Sequence, residues 1–418
     1  IFCGVLQKVQ IFGGIKGQDA NISIVSTLQH RGLLDGNTTV VYSHDDHQLP
    51  ESYNGLGHMN LISMIFEIEI LIQEFKREKE TKPADINLLF IEEPEAHTHP
   101  QMQYIFIKNI KKLLDEGIKR DDGINRSLQY LITTHSSHIV ADSDFDDIKY
   151  LKVESKNNVV AKNLSDLISK YAADRKEYQF LKQYLTISRA EIFFADKAIL
   201  IEGDTERILI PTIMRKVDLE EVDDFLPLLS QNISIIEVGA YSQIFEKFIE
   251  FLGIKSLILT DIDAIKITGK DKDNKDVWGA CPVNEGSKTS NSAINHFLGK
   301  EIIWSELKVL SVDKRTISEG KICLCYQQEE GSYHARSFED GFIHINRGFI
   351  DPKIGDFQGL KNREYFDDPE NNAYVLADKC IKKKTHFALD ILYHSNDDFS
   401  NWQIPAYIRE GLLWLKAD

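Results

Sequence analysis

Short apolar runs interrupt a mostly polar chain at Ile86–Ile91 and Leu128–Thr133, and each adjoins a stretch with helical spacing. Leu61, Met64, Ile65, Ile68, Ile70, Leu71 and Ile72 crowd one side of a helix predicted over 61–78. A second helix is predicted over 101–115, opening just after Pro100. Strand, helix, strand in that order predicts an α/β unit with a largely parallel sheet. Residues 163–190 are polar with helical spacing and read as a helical connector. A second series then opens, with strands at Ala198–Ile201, Ile233–Val238 and Ser256–Thr260 and helices at Thr205–Lys216 and Ile244–Leu252. This is a βαβαβ run, whose crossovers should be right-handed. Residues 264–300 are rich in Lys, Asp, Asn and Gly (KITGKDKDNKDVWG) and read as a mobile loop. A strand at Ile322–Tyr326 and helices near 386–394 and 405–416 complete the pattern.

Composition narrows the class. The chain has 418 residues, 42% of them hydrophobic, which suits two or three packed domains and excludes a disordered or fibrous whole. No uninterrupted apolar stretch reaches the roughly 18 residues of a membrane span, so no membrane association is expected. Cys3, Cys281, Cys323, Cys325 and Cys380 are odd in number and form no C-x-x-C pair. That argues against a disulfide framework or zinc finger and for a reducing, cytoplasmic setting. Lys plus Arg total 49 against 65 Asp plus Glu, a formal charge of −16, so a broad basic surface for nucleic acid is excluded. Handling phosphates would need local basic patches or bound divalent cations. The chain opens on Ile1 without Met or a secretory pattern, and reads as a fragment whose N-terminal part is absent.

The first candidate constellation is LLFIEEPEAHTHP at 88–100, where an apolar strand ends in Glu92 and Glu93. Strand alternation sends the two carboxylates to opposite sides, so they cannot share one task. In a nucleotide-hydrolysing sheet the first can hold Mg²⁺ through water and the second can orient the attacking water. A later strand, LITTH at 131–135, ends in His135, which can hydrogen-bond a γ-phosphate. The segment YNGLGHMN at 53–60 places Asn54, Gly55 and Gly57 before a long helix, whose N-terminal amides can face a phosphate. Taken singly, these features read as solvated acids, a structural His and a helix cap. Their order and spacing together point to ATPase machinery. No G-x-x-x-x-G-K-[ST] loop occurs, and FGGIKG at 12–17 has the wrong spacing, so the chain alone should bind ATP poorly.

The second constellation opens with AILIEGDTERILIP at 198–211. Glu202 closes a strand, where open α/β sheets place reactive groups, and Glu206 follows one helical turn later. The segment SLILTDID at 256–263 ends a second strand in Asp261 and Asp263; residues two apart on a strand share a face, so both can aim at one site. Carboxylate oxygens without His or Cys suit Mg²⁺ or Mn²⁺. Singly, D-x-D reads as a solvated loop and E-G-D-T-E as a capped helix start. HARSFEDGF at 334–342 adds Ser337, Glu339 and Asp340, and KKKTHFALDI at 382–391 adds a Lys cluster running into an amphipathic helix. Two divalent ions about 3.5–4 Å apart, held by such carboxylates, supply what phosphodiester hydrolysis needs. Glu202, Glu206 and Glu339 are read as ligands of one ion, Asp261 and Asp263 as ligands of the other. Asp340 is a further candidate carboxylate for the ions, Ser337 could orient a metal-bound water or a carboxylate, and Lys384, with Lys383 as competitor, could stabilise charge on the transferred phosphate.

These texts resemble two known assemblies. EEPEAHTHP and TTHSS are similar to the Walker B, D-loop and H-loop segments of ABC-type ATPases, in the form typical of OLD (overcoming lysogenization defect) nucleases and their SMC-like and RecF-like cousins. Glu202, Glu206, Asp261 and Asp263 on a βαβαβ run resemble a Toprim domain, and the R-S-F-E-D and K-T-H-F-A-L segments resemble late OLD motifs, as does ISRAEIFFAD at 187–196. The nuclease subunit of the Gabija antiphage system shares this layout. The resemblance covers roughly 50–418. It implies an α/β chain with residues 1–162 as the C-terminal portion of an ABC-type ATPase head carrying a dimerisation surface, 163–189 as connector and 190–418 as a Toprim nuclease domain. It further implies a DNA endonuclease using two Mg²⁺ or Mn²⁺ ions, regulated by ATP in the intact protein and serving antiphage defence. Its partners would be DNA, further copies of itself and a helicase or other defence protein. The rival readings are a non-catalytic SMC-like DNA-clamping ATPase and a Toprim topoisomerase or primase; for the latter, neither a separate catalytic-Tyr domain nor a zinc context is visible.

Overall fold

A computed structural model of the chain describes residues 21–26, 38–44, 47–50, 55–77, 81–221 and 226–417. FGGIKG and Asn54 lie outside these residues. Two compact units are formed, Ile1–Ile148 with Lys182–Ala190, and Lys149–Leu181 with Glu191–Asp418.

In the first unit, strands β1 (Asn21–Ser26), β2 (Thr38–His44) and β3 (His47–Pro50) form an antiparallel sheet. Helix α1 (Leu56–Lys76) follows, then β4 (Leu88–Glu92), α2 (Pro100–Asp115) and β5 (Gln129–Thr133). The apolar stripe places Leu61, Ile62, Ile65, Ile68 and Ile72 of α1 in one core with Leu89 and Ile91 of β4 and Phe106, Ile107 and Ile110 of α2. Among the described residues α1 is the one helix long and apolar enough, by length and composition, to cross a membrane, and this packing accounts for its apolar face. Pro100 opens α2, and His99 caps it by accepting from the Gln101 amide at 3.2 Å. Strands β4 and β5 pair in parallel, Leu88 opposite Gln129 and Glu92 opposite Thr133, so both strand-end segments emerge at one edge.

The second unit opens with a hairpin that the sequence reading did not anticipate, β6 (Lys149–Ser155) and β7 (Asn158–Asn163). Lys152 Nζ, at its middle, donates to the Leu252 carbonyl at 2.8 Å. The main sheet contains β8 (Lys197–Ile201), β9 (Ile233–Glu237), β10 (Lys255–Leu259), β14 (Thr316–Ile317) and β15 (Ile322–Cys325), in the order β9-β8-β10-β15-β14. All pairings are parallel except the edge strand β14. Ala198 to Ile201 and Ile322 to Cys325 are buried on both faces, as expected of central strands covered by helices. Helices α3 (Asp204–Glu220), α4 (Glu246–Leu252), α6 (Phe338–Ile345), α7 (Ala373–Cys380), α8 (Lys384–His394) and α9 (Ala406–Lys416) build the rest, and Leu209, Ile213, Phe342, Phe387 and Ile391 share its core.

Residues 264–300 are not a loop. Strands β11 (Ala264–Lys270) and β12 (Asp276–Ala280) form an antiparallel ribbon, β13 (Lys288–Thr289) flanks β11, and a short helix, α5 (Ser292–Phe297), follows. Ile265 and Ile267 alternate with Lys266 and Thr268 at the period of a strand. Asp271 closes the turn by accepting from the amides of Asp273 at 2.8 Å and Lys275 at 2.9 Å.

Candidate active site

The parallel register decides which side chains meet at the C-terminal edge of the main sheet. Leu200 pairs with Ile258 and Leu257 with Cys323. Carried one residue past the strand ends, the same register sets Glu202 level with Thr260, and carried two residues past, Asp261 level with Gln327. Glu202 accepts through Oε1 from the Thr260 hydroxyl, from Asn291 Nδ2 at 2.9 Å and from the Asp261 amide at 3.4 Å. Asp261 accepts through Oδ1 from Gln327 Nε2 at 2.7 Å and from the Phe338 amide at 3.0 Å.

Two helix starts complete the group. Gly203 caps α3, whose first turn carries Glu206. Glu339, in the first turn of α6, is 3% exposed, and Thr205 Oγ1 donates to its Oε1 at 3.5 Å. Lys384, the first residue of α8, reaches Glu339 Oε2 with its Nζ at 2.9 Å. Four carboxylates from three segments, Glu202 and Glu206, Asp261, and Glu339, thus act electrostatically on one another and on the Lys384 ammonium. Burial, then repulsion from Glu339 and Glu202, pushes the Glu206 carboxyl up to about 7. Burial and the charges of Glu202, Glu339 and Glu206 hold Asp261 far above the usual carboxylate range. Glu202 is raised by burial, with Asp263 adding to it. Burial lowers the Lys384 ammonium, but Glu339 and Asp261 more than offset it, and the net shift is upward.

The D-x-D pair behaves differently from the strand-face expectation. Strand β10 stops at Leu259, and Asp263 has a left-handed φ of 47°, so alternation no longer governs residues 261 to 263. Asp261 lies with the carboxylate group, whereas Asp263 pairs with Arg336 at 2.7 Å. Ser337 and Asp340 bond to each other. Asp340 accepts from the Ser337 hydroxyl at 2.7 Å, the Ser337 amide at 2.6 Å, the Arg336 amide at 2.8 Å and the Tyr333 hydroxyl at 3.0 Å, closing the start of α6. Lys383 is the extended residue that caps α8.

All the donors facing one another here are carboxylate oxygens, which fits a hard divalent cation and disfavours zinc. The raised proton affinity of Glu202, Glu206 and Asp261 comes first from burial and then from the negative charges of neighbouring carboxylates. Among the described residues no three acidic, His or Cys side chains are drawn together into a ready cage. Lys384 supplies an ammonium beside the cluster.

In the first unit, Glu92 ends β4 and Glu93 follows in a left-handed conformation at φ 42°. Its amide donates to the Thr133 carbonyl at 3.0 Å, and its carboxylate lies 3.4 Å from His135 Nε2. Glu95, which sequence reasoning missed, accepts through Oε1 from the Thr134 hydroxyl at 2.8 Å and the His135 amide at 2.6 Å, fastening the two strand-end segments together. A third acid in EEPE was its only signal. Gly55 caps α1, and Gly57 approaches the His97 carbonyl so closely that a Cβ there would collide with it. In the second unit Asn291, Gln327, Arg336 and Thr260 were also missed; a neutral amide in text carries no sign of what it will touch.

Family models match residues 1–140 as an AAA ATPase domain and 193–263 as the TOPRIM domain of overcoming lysogenization defect protein-like proteins. Endonuclease GajA of Bacillus cereus (strain HuB5-5) is 30% identical over 394 residues, covering 88% of this chain and 54% of that protein. The Old nuclease of Escherichia phage P2 is 23% identical over 232 residues, covering 54% of this chain and 36% of its own length. The chain therefore spans about half, or less, of the length of these curated relatives. The solved C-terminal region of the Burkholderia pseudomallei OLD protein, 23% identical over 53% of this chain and 98% of its own, superposes at a TM-score of only 0.30. By its paired AAA-type ATPase and OLD-like TOPRIM regions and its similarity across most of its length, the chain is a homologue of the Gabija endonuclease GajA and of the OLD nucleases.

Proposed function

We propose that this chain is the nuclease-bearing part of a metal-dependent DNA endonuclease that nicks or cuts DNA by two-metal phosphodiester hydrolysis. The observation that carries this is the gathering of Glu202, Glu206, Asp261 and Glu339, from three separate segments, around the Lys384 ammonium at the edge of a parallel sheet. In this reading Glu202, Glu206 and Glu339 hold one Mg²⁺ or Mn²⁺ ion, and Asp261 with Asp263 holds the second. When bound, such ions lower the pKa of water and relieve charge on the transferring phosphoryl group. Lys384 Nζ is placed to stabilise that developing charge as a preorganised donor. Arg336 holds the Asp263 carboxylate, and the Ser337–Asp340 pair fixes the helix start from which Glu339 projects.

The same proposal divides the chain into an ATPase-like part at 1–162, a connector at 163–189 and the nuclease part at 190–418. Glu92, Glu93 and His135, with the helix start at Gly55 and Gly57, are assigned to nucleotide-dependent control in the intact protein, where the ATPase part would also pair copies. The contact of Glu93 with His135 supports that assignment. Action on DNA, a cytoplasmic place and a role in antiphage defence follow from the resemblance to GajA and the OLD nucleases.

The test is incubation of supercoiled plasmid with the chain and Mg²⁺ or Mn²⁺. Nicked or linear product that disappears with EDTA and with Glu202→Ala supports the proposal. Unchanged cutting by Glu202→Ala and Asp261→Ala would remove it, and a trapped covalent protein–DNA adduct would favour the topoisomerase reading instead.

A further inference from the structure

We infer that two buried amides, Asn291 and Gln327, are positioning residues that occupy one oxygen of Glu202 and one of Asp261 and thereby present the other oxygen of each to the cation cluster. The inference rests on the metal-dependent reading above. Its ground is an asymmetry in the hydrogen bonds. The bonds to Glu202 from Thr260, Asn291 and the Asp261 amide all fall on Oε1. Those to Asp261 from Gln327 and the Phe338 amide both fall on Oδ1. The other oxygen of each carboxylate carries none of these bonds.

Donor and acceptor chemistry fixes how each amide is turned. Asn291 Oδ1 accepts from the amides of Ala293 at 3.0 Å and Ile294 at 3.1 Å, as the cap of α5. Those partners are donors only, so the carbonyl end must face them and the Nδ2 end must face Glu202. That same nitrogen donates to the Thr260 hydroxyl at 2.7 Å, and this hydroxyl donates in turn to Glu202. Gln327 Oε1 accepts from the Ile262 amide at 2.8 Å, which turns Nε2 toward Asp261. Asn291 is 5% exposed and Gln327 1%, so neither can swing into solvent to be replaced by water. The strand register brings Gln327 level with Asp261, and the turn after β13 brings Asn291 over Glu202. A ligand carboxylate oriented by such an outer partner commonly loses metal affinity when the partner goes.

The test is Mn²⁺ titration of the whole chain, followed by the electron paramagnetic resonance of free Mn²⁺, with a circular-dichroism melt of each protein. Asn291→Ser keeps a helix-capping oxygen but is too short to reach Glu202. Gln327→Met keeps the volume and removes both polar ends. Each is expected to weaken Mn²⁺ binding about 10–100-fold while still folding cooperatively. A purely structural role would lower the melting temperature and leave the titration midpoint where it was. If both variants bind within about twofold of the native chain while Glu202→Ala does not, the inference fails alone, since outer-partner losses are an order of magnitude larger. If the native chain binds no Mn²⁺, the metal reading fails and this inference with it. Should Gln327→Met not fold, Asn291→Ser decides.

Discussion

At the scale of single residues, Glu206 sets a pH dependence whose sign can be worked out. Its carboxyl titrates near 4.5 when free and at about 7 in the folded chain. Between those values the unfolded state ionises and the folded state does not, so metal-free stability should fall as pH rises from about 4.5 to 7 and then level off. A cation bound by the cluster favours the ionised form. Mg²⁺ should therefore raise the melting temperature at pH 8 and hardly at pH 5, and Glu206→Gln should flatten the metal-free profile. An equal Mg²⁺ effect at both pH values would contradict this. Lys384 gives a second test. Its ammonium bonds Glu339, while Lys383 caps a helix, so Lys384→Ala should cost about 10²–10³ in cleavage rate and Lys383→Ala only a few-fold, in single-turnover assays. The carboxylates Glu202, Glu206, Asp261 and Glu339 were legible in sequence because they end strands or open helices. The different partners of Asp261 (Gln327 and the Phe338 amide) and Asp263 (Arg336) were not, because only the end of β10 at Leu259 and the left-handed turn at Asp263 divide them.

At the scale of elements, the start of α6 separates acids that look alike in text. Glu339 and Asp340 are adjacent, yet Glu339 bonds Lys384 while Asp340 accepts four hydrogen bonds from Tyr333, Arg336 and Ser337. Asp340→Ala leaves those donors unpaired and should destabilise the chain by about 1–3 kcal/mol in urea unfolding. Its Mn²⁺ affinity should remain close to native once the protein is kept folded at low urea. Glu339→Ala should show the reverse, with weaker Mn²⁺ binding and a smaller stability change. The long helix α1, the helix after Pro100 and the strands β8 and β10 follow from apolar periodicity, and each was readable to within a few residues. The ribbon β11–β12 was not, because lysines and aspartates around its turn outweigh Ala264, Ile265 and Ile267 in any compositional reading. Hairpin β6–β7 was missed for the same reason, since Tyr150, Leu151 and Val153 are spaced among lysines.

At the scale of the whole molecule, the formal charge of −16 constrains how DNA could be engaged. An acidic protein gains little from counterion release unless positive charge is concentrated locally. Without a bound cation the cluster adds to the barrier, because a phosphate approaching the ionised carboxylates there meets like charge. Divalent ions at the cluster reverse the sign at the point of contact, and Lys384 adds to it. Retention of DNA by the slowly cleaving Lys384→Ala chain, measured by fluorescence anisotropy, should therefore require Mg²⁺ or Ca²⁺ and vanish with EDTA. Its salt slope should be shallow, corresponding to few phosphate contacts rather than a basic groove. The absence of a G-x-x-x-x-G-K-[ST] loop makes the companion expectation: this chain alone should release phosphate from ATP at the rate of buffer, whatever stands at Glu93 or His135. Tight, EDTA-resistant DNA binding would place the contact on some basic face away from the carboxylates, and the cation cluster would then have to act on DNA that is already held elsewhere.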